Sequence, residues 1–230
     1  MSTASDSEFA ARPQLSDDVA RYVRRRIFTG GYRPGEYLRL EQLAGELGIS
    51  VTPVREALLN LRAEGLLAQH PRRGFMVLEV TARDLADVAK VQAFIGGELA
   101  ARAAEHITDA QLAALRAVQD ELEGAYQQAD LERMVRLNHE FHRTINIAGD
   151  SPKLTQFMSG ITRYAPESVF PTLPGWPEQS TRDHRAVLAA LEARDPELAR
   201  TAMAEHFVVG VAPLTEYLTE RGVIAPDRVS

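Results

Sequence analysis

The chain has 230 residues, 45% of them hydrophobic and none of them cysteine. That supports one large or two modest domains with real cores and excludes disulfides and thiolate metal sites. Net charge is −6 at pH 7, which as a whole argues against a nucleic-acid surface, yet residues 15–80 carry ten Arg, no Lys and a net +2, while 81–230 carry a net −7.

In chain order, residues 1–14 are expected to form a disordered tail. The opening MSTASDSEFAARP lacks a basic-then-apolar signal pattern. No apolar run approaches the roughly 20 residues needed to cross a bilayer, so a soluble, cytoplasmic protein with no membrane partner is expected. Ser16, Asp17 and Asp18 open a helix through Phe28, with Val19, Tyr22, Val23 and Ile27 facing inward. Gly30-Gly31 end it, and Pro34-Gly35 turn into the next element.

The stretch LRLEQLAGELGISVTPVREALLNLRAEG (40–65 within it) predicts two short helices joined by a tight turn. Leu40, Leu43, Ala44 and Leu47 share one apolar face, and Gly48 stops that helix. Ser50 or Thr52 caps the second, Pro53 lies in its first turn, and Val54, Ala57, Leu58 and Leu61 form its apolar face before Gly65. This is either a helical hairpin inside a larger core or a helix-turn-helix, whose second helix meets base edges with its first turn. Ser50, Thr52 and Arg55 have the chemistry for that contact: two hydroxyls and one forked cation. Beyond Gly65, the apolar runs Leu66–Ala68 and Phe75–Leu78 flank Pro71-Arg72-Arg73-Gly74 and predict a β-hairpin wing. Its tip puts Arg72 and Arg73 against phosphate or the minor groove, unless the turn is merely solvated. The run Arg24-Arg25-Arg26 is similarly either a solvated face or close to a DNA backbone.

FTGGYRPGEYLRLEQLAGELGISVTPVREALLNLRAEGLLAQHPRRG resembles the winged-helix head of the GntR superfamily of bacterial transcription regulators. The residues that carry the likeness are Pro34-Gly35, Leu43-Ala44, Gly48, the run from Thr52 to Leu58, Gly65-Leu66 and Gly74. The resemblance implies a DNA-binding domain over 15–80, with Ser50, Thr52, Arg55, Arg72 and Gly74 at DNA-contact positions. Val51 departs from it, standing where many members place an Arg, and suits apolar contact with a thymine methyl.

From Thr81 onward the pattern is purely helical. Helices are expected over about 82–105, 109–128, 131–148, 152–169, 179–194 and 196–221, with Thr81, Thr108, Asp130 and Asp195 as caps and PTLPGWP (171–177) as a loop. The result is a mainly α protein: a winged helix-turn-helix followed by an all-α antiparallel bundle over 81–222, with 223–230 as a C-terminal tail.

Three histidines interrupt apolar stripes in this second half. His142 follows Leu131, Val135 and Asn138; His184 leads Val187, Leu188 and Leu191; His206 lies on a stripe with Leu198, Ala202 and Val209. A single such histidine is usually a satisfied core residue. Three of them, with an Asn one turn before the first, point to a shared centre for a divalent transition metal such as Zn²⁺, Ni²⁺ or Mn²⁺. His70, His106 and His139 join no stripe and are read as surface residues.

Residues 82–222 resemble the FCD-type effector domain of the FadR branch of the same superfamily. The resemblance maps the metal ligands onto Asn138, His142, His184 and His206, and places Gln92 where many members carry an Arg that grips an effector carboxylate. Asn138 replaces a usual Asp, and Gln92 can only hydrogen-bond, so Arg143, Arg163 and Arg185 are the candidate substitutes for binding the effector. The combined expectation is a homodimeric, metabolite-responsive regulator, commonly a repressor, reading a palindromic double-stranded operator. Its second domain would hold a divalent metal and an acidic small-molecule effector. Two rivals share these residues: a metal-dependent hydrolase or lyase with a targeting head, which lacks an HExxH-like base, and an architectural DNA protein whose histidines brace a core.

Overall fold

The computed structural model describes residues 13–164 and 169–224. The expected disorder of residues 1–12 therefore lies outside the described residues, as do residues 225–230 of the expected tail. The chain divides into two compact units, one comprising the residues before Thr81 together with 221–224, the other running from Thr81 to Glu220.

In the first unit, α1 (Pro13–Phe28) starts before the expected Ser16 cap, so Pro13 and Gln14 belong to the helix. Its Val19, Val23, Ile27 and Phe28 are buried along with Leu43 and Ala44 of α2 (Leu40–Leu47) and Val54, Ala57, Leu58 and Leu61 of α3 (Val51–Ala63). These are the apolar positions that the 3.6-residue period selects. Gly48 ends α2 in the left-handed region, φ 65°, and the Ile49 amide then donates to the Ala44 carbonyl at 3.0 Å.

A three-stranded antiparallel sheet of order β1–β3–β2 completes the unit: β1 (Tyr37–Leu38), β2 (Leu67–His70) and β3 (Gly74–Val77). The hairpin was expected. The two-residue β1 was not, because so short a strand has no readable alternation; it is docked through Gly35 N–H to Val77 C=O and Val77 N–H to Glu36 C=O, both 2.9 Å. Gly74 has φ +100°, and a Cβ there would lie 2.4 Å from the Leu38 carbonyl oxygen. Only glycine fits where the wing crosses β1. Val223 and Ile224, expected in the tail, are 3% and 2% exposed; Val223 lies beside Gly30.

The second unit is a helical bundle built around α4 (Ala82–His106), against which α6 (Leu131–Ala148), α7 (Pro152–Ile161), α8 (Trp176–Glu192) and α9 (Pro196–Val209) pack. α5 (Asp109–Gln127) lies against α6 and α8. Close approach of α4 to α9 depends on Gly96 and Gly97, where a Cβ would lie 2.4 Å from the Phe207 ring and 3.0 Å from the Arg200 carbonyl oxygen. Thr81 with Asp84 and Thr108 with Gln111 form capping boxes; Asp130 and Asp195 cap α6 and α9.

Three boundaries differ from expectation. α7 ends at Ile161 and passes into a 3-10 turn, Thr162–Tyr164. α8 starts at Trp176, so part of the expected Pro-rich loop is helical, with Pro177 in the first turn. The single helix expected over 196–221 is two, α9 and α10 (Val211–Glu220), parted at Gly210, where a Cβ would strike the rings of Phe170 and Trp176 at 2.7 and 2.9 Å. Among the described residues no helix is long and apolar enough to cross a membrane.

Inside the first unit Arg24 grips Glu64 through both carboxylate oxygens, at 2.6 and 2.7 Å, with the side chains only 13% and 10% exposed. Glu64→Ala strands that guanidinium, and a loss of about 3 kcal/mol is expected in chemical denaturation of the full chain. The double variant Arg24→Met/Glu64→Leu recovers most of it; equal loss in both would show that the pair is not what matters.

Candidate metal centre and nucleic-acid interface

In the first unit Ser50 occupies the N-cap position of α3 in extended conformation, but its side chain makes no capping hydrogen bond. The expectation that Ser50 or Thr52 caps this helix is thus met in backbone position only. The hydroxyl is left exposed, as are Thr52 and Arg55 on the first turn and a half, with no partner among the described residues. At the wing, Arg72 is exposed with φ 65°, and Arg73 is exposed with its guanidinium 5.8 Å from the Tyr37 ring centre. Tyr37 is in turn met edge-on by His70, at 5.6 Å. The arginine run of α1 separates by role. Arg24 is the buried partner of Glu64, whereas Arg26 lies over Tyr32 at 5.1 Å and donates to the Gly31 carbonyl. Burial, foremost, together with the neighbouring Tyr22 raises the Tyr32 hydroxyl to about 12.

In the second unit His142 of α6, His184 of α8 and His206 of α9 converge: one nitrogen from each lies within 4.8 Å of the others. Ring centres are 4.7 Å apart for His184 and His206 and 5.1 Å for the other two pairs. Phe141 stacks flat on His184, at 4.0 Å and 5°, while Phe207 and Trp176 close the apolar side. His142 Nδ1 and His184 Nε2 are buried with no hydrogen-bond partner. Burial, before the neighbouring histidines, pushes both rings well below the ordinary histidine pKa, so both are neutral bases. Buried lone pairs that face one another without a donor are what a metal centre requires and what a packed core avoids.

Asn138 sits one turn before His142 on α6, half-buried, its side chain unpartnered among the described residues. Gln92 is buried on α4. Arg143 and Arg163 are exposed. Arg185 is held elsewhere, bonding Glu123 at 2.8 Å and Asp120 at 2.6 Å on α5. Of the remaining histidines, His106 and His139 are exposed, in line with the surface reading, whereas His70 is half-buried, packed edge-on against Tyr37 in the sheet.

Two residues escaped the sequence reading. Asp183 Oδ2 accepts from His206 Nδ1 at 3.3 Å, and Gln119, fully buried on α5, accepts from His184 Nδ1 at 2.8 Å. Gln119 did carry a signal: it interrupts the stripe Leu112, Leu115, Leu122 in the way Asn138 interrupts its own. Asp183 carried none, since it simply precedes His184.

Residues 15–77 match the model of "Bacterial regulatory proteins, gntR family", and residues 87–208 match the FCD domain. The "HTH-type transcriptional regulator McbR" of Escherichia coli K12 is 29% identical over 207 residues, 87% of this chain and 92% of that protein. The "HTH-type transcriptional repressor RspR" of the same strain is 25% identical over 84% and 85% of the two chains. The solved structure titled "E. coli McbR/YncC" superposes with a TM-score of 0.71 at 28% identity, covering 90% of this chain and 99% of that one.

Glu123 is also part of this arrangement. Burial raises its pKa, but hydrogen bonds from Arg185 and Gln119 outweigh that and leave it lowered. Lowered in the folded state, it contributes stability that is present above the ordinary carboxylate pKa of about 4.3 and lost as pH falls through the folded value. Arg185→Met should shift the Glu123 titration upward in carboxyl-carbon NMR and weaken the chain at and above about pH 4.3, the loss fading as pH falls through the folded value. An unmoved titration would break the assignment.

Proposed function

The chain belongs to the gntR family of bacterial transcription regulators that carry an FCD effector domain, and from that membership we propose that it is a metabolite-responsive repressor whose histidine chamber holds a divalent transition metal. The observation that carries the metal reading is the pair of buried, unpartnered nitrogens, His142 Nδ1 and His184 Nε2, facing His206 across three helices. His142, His184 and His206 would hold the ion, with Asn138 offering a carbonyl oxygen. Zn²⁺, Ni²⁺ and Mn²⁺ all accept imidazole and carbonyl donors. When bound, such an ion supplies a positive centre with open positions for water or an acidic small molecule.

The chain's own residues supply the rest. Phe141, Phe207 and Trp176 exclude water from the rings, and Asp183 orients His206. Arg185 is engaged on α5, so Gln92, Arg143 and Arg163 are the better candidates to meet an effector. In the head, Ser50, Thr52 and Arg55 are free to meet base edges and Arg72 and Arg73 to meet backbone or minor groove. Gly74 serves by letting the wing close on β1. Such a head has a small footprint, and a two-fold homodimer on a palindromic operator in the cytoplasm is the arrangement that gives it useful affinity. An effector that binds one arrangement of the helices better than another by a few kcal/mol alters the spacing of the two heads and releases DNA.

Two measurements test this. Arg55→Ala should weaken operator binding by ~1–3 kcal/mol in fluorescence anisotropy, as for one lost base contact; unchanged affinity would remove α3 from the interface. His142→Ala combined with His184→Ala should purify without metal while keeping operator affinity. Full occupancy by elemental analysis would refute the chamber.

A further inference from the structure

One polar chain lies outside the histidines and is left unused by the reading above. It starts at the Arg185 guanidinium, which donates from Nε to Glu123 Oε1 at 2.8 Å and from its terminal nitrogen to Asp120 at 2.6 Å. The same Glu123 Oε1 accepts from Gln119 Nε2 at 3.0 Å, and Gln119 Oε1 meets His184 Nδ1 at 2.8 Å. Each link has a forced direction. A carboxylate only accepts, so the amide NH₂ of Gln119 faces Glu123 and its carbonyl faces His184. A carbonyl also only accepts, so the hydrogen of the neutral imidazole sits on Nδ1. The bare nitrogen is then Nε2, the atom that is buried without a partner.

We propose that Gln119 is a positioning residue for the chamber: held in one orientation by Glu123 and Arg185, it locks His184 in the Nδ1–H tautomer and aims Nε2 at the ion. The α5–α8 contact, which brings these residues together, thereby lets α5, which supplies none of the three histidines, set the ligating state of a ring carried by α8. His206 receives the equivalent hold from a carboxylate, Asp183, so the two rings differ in kind. A neutral amide fixes the tautomer of His184 without lending it negative charge, whereas an anion strengthens His206 as a donor. His142 has no such tether on its buried Nδ1, and rests against Phe141 and Phe207.

The metal arm of this inference rests on the metal reading above; the tautomer arm does not. The test uses the full chain with Gln119→Leu, which removes the acceptor, Gln119→Glu, which keeps one, and Glu123→Leu. The last is a substitution at a partly exposed site that frees the amide to flip while leaving the core intact. Imidazole ¹⁵N spectra of metal-free protein should show His184 as a single Nδ1–H tautomer in the native chain and in Gln119→Glu. Gln119→Leu and Glu123→Leu should show a mixture or the Nε2–H form. Zinc affinity, measured against a competing chelator, should fall about 10- to 100-fold in Gln119→Leu, as for a lost outer-shell partner of a ligand histidine, and recover in Gln119→Glu. An unchanged tautomer in Gln119→Leu and Glu123→Leu overturns the proposal. Should the native chain take up no zinc, the metal reading falls, and the imidazole spectra still decide the role of Gln119.

Discussion

Three imidazoles turned towards one another in an apolar interior are the constraint on which the second unit depends. An unsatisfied buried polar group costs about 1–3 kcal/mol, and two ring nitrogens here have no partner. The surroundings offset that cost by packing. Phe141 stacks on His184, and the core beneath it joins α4, α5, α6, α8 and α9 through residues such as Ala103, Leu115, Ile145, Val187 and Met203. That core in turn needs α4 and α9 in close register, which Gly96 and Gly97 permit. A packed protein with no use for the cluster would replace one histidine by leucine and gain stability. Retaining all three is the mark of a site rather than of a core.

The first unit answers a different constraint: a chain of net negative charge must present a positive face to DNA. The ten arginines of residues 15–80 are not equivalent in that task. Arg24 neutralises Glu64 inside the unit, and Arg26 rests on Tyr32, so the arginine run of α1 is in part structural. Arg55 and Arg72 remain at the surface of α3 and the wing. Counting cations along the sequence located the basic half of the molecule; which cations are available is a matter of side-chain packing.

Legibility followed the same division between local and non-local physics. Thr81, Thr108, Asp130 and Asp195 announced their helices because a cap acts within three residues of itself. The stripe Val187, Leu188, Leu191 gave the inward face of α8 and with it His184, whereas Leu131 on the stripe read for His142, and Leu198 and Val209 on the one read for His206, are exposed, so those two histidines turn inward off the stripes read for them. The break at Gly210 was missed although Pro213, which has no N–H to give the Val209 carbonyl, marks it in the sequence; what was not legible is that Phe170 and Trp176 leave no room for a side chain at position 210. β1 was missed because its two residues acquire strand geometry only by docking on β3. Gln119 was legible in principle, since a polar residue on a buried stripe is the same anomaly that singled out Asn138. Its partner Asp183 was not, because an acid beside a histidine in sequence usually points to another face of the helix, and only the approach of α9 gives it a role.

These particulars also bear on what the chamber would select. Asn138 contributes no negative charge, burial holds His142 and His184 neutral, and the outer hold on His184 is a neutral amide. Asp183 is the one carboxylate that touches the cluster among the described residues, and it reaches His206 from outside, at 3.3 Å. A divalent ion held by such a set keeps most of its charge, in contrast to one held by an acid at position 138. The open positions of the ion then favour an anionic ligand more strongly, while the ion itself is bound less tightly.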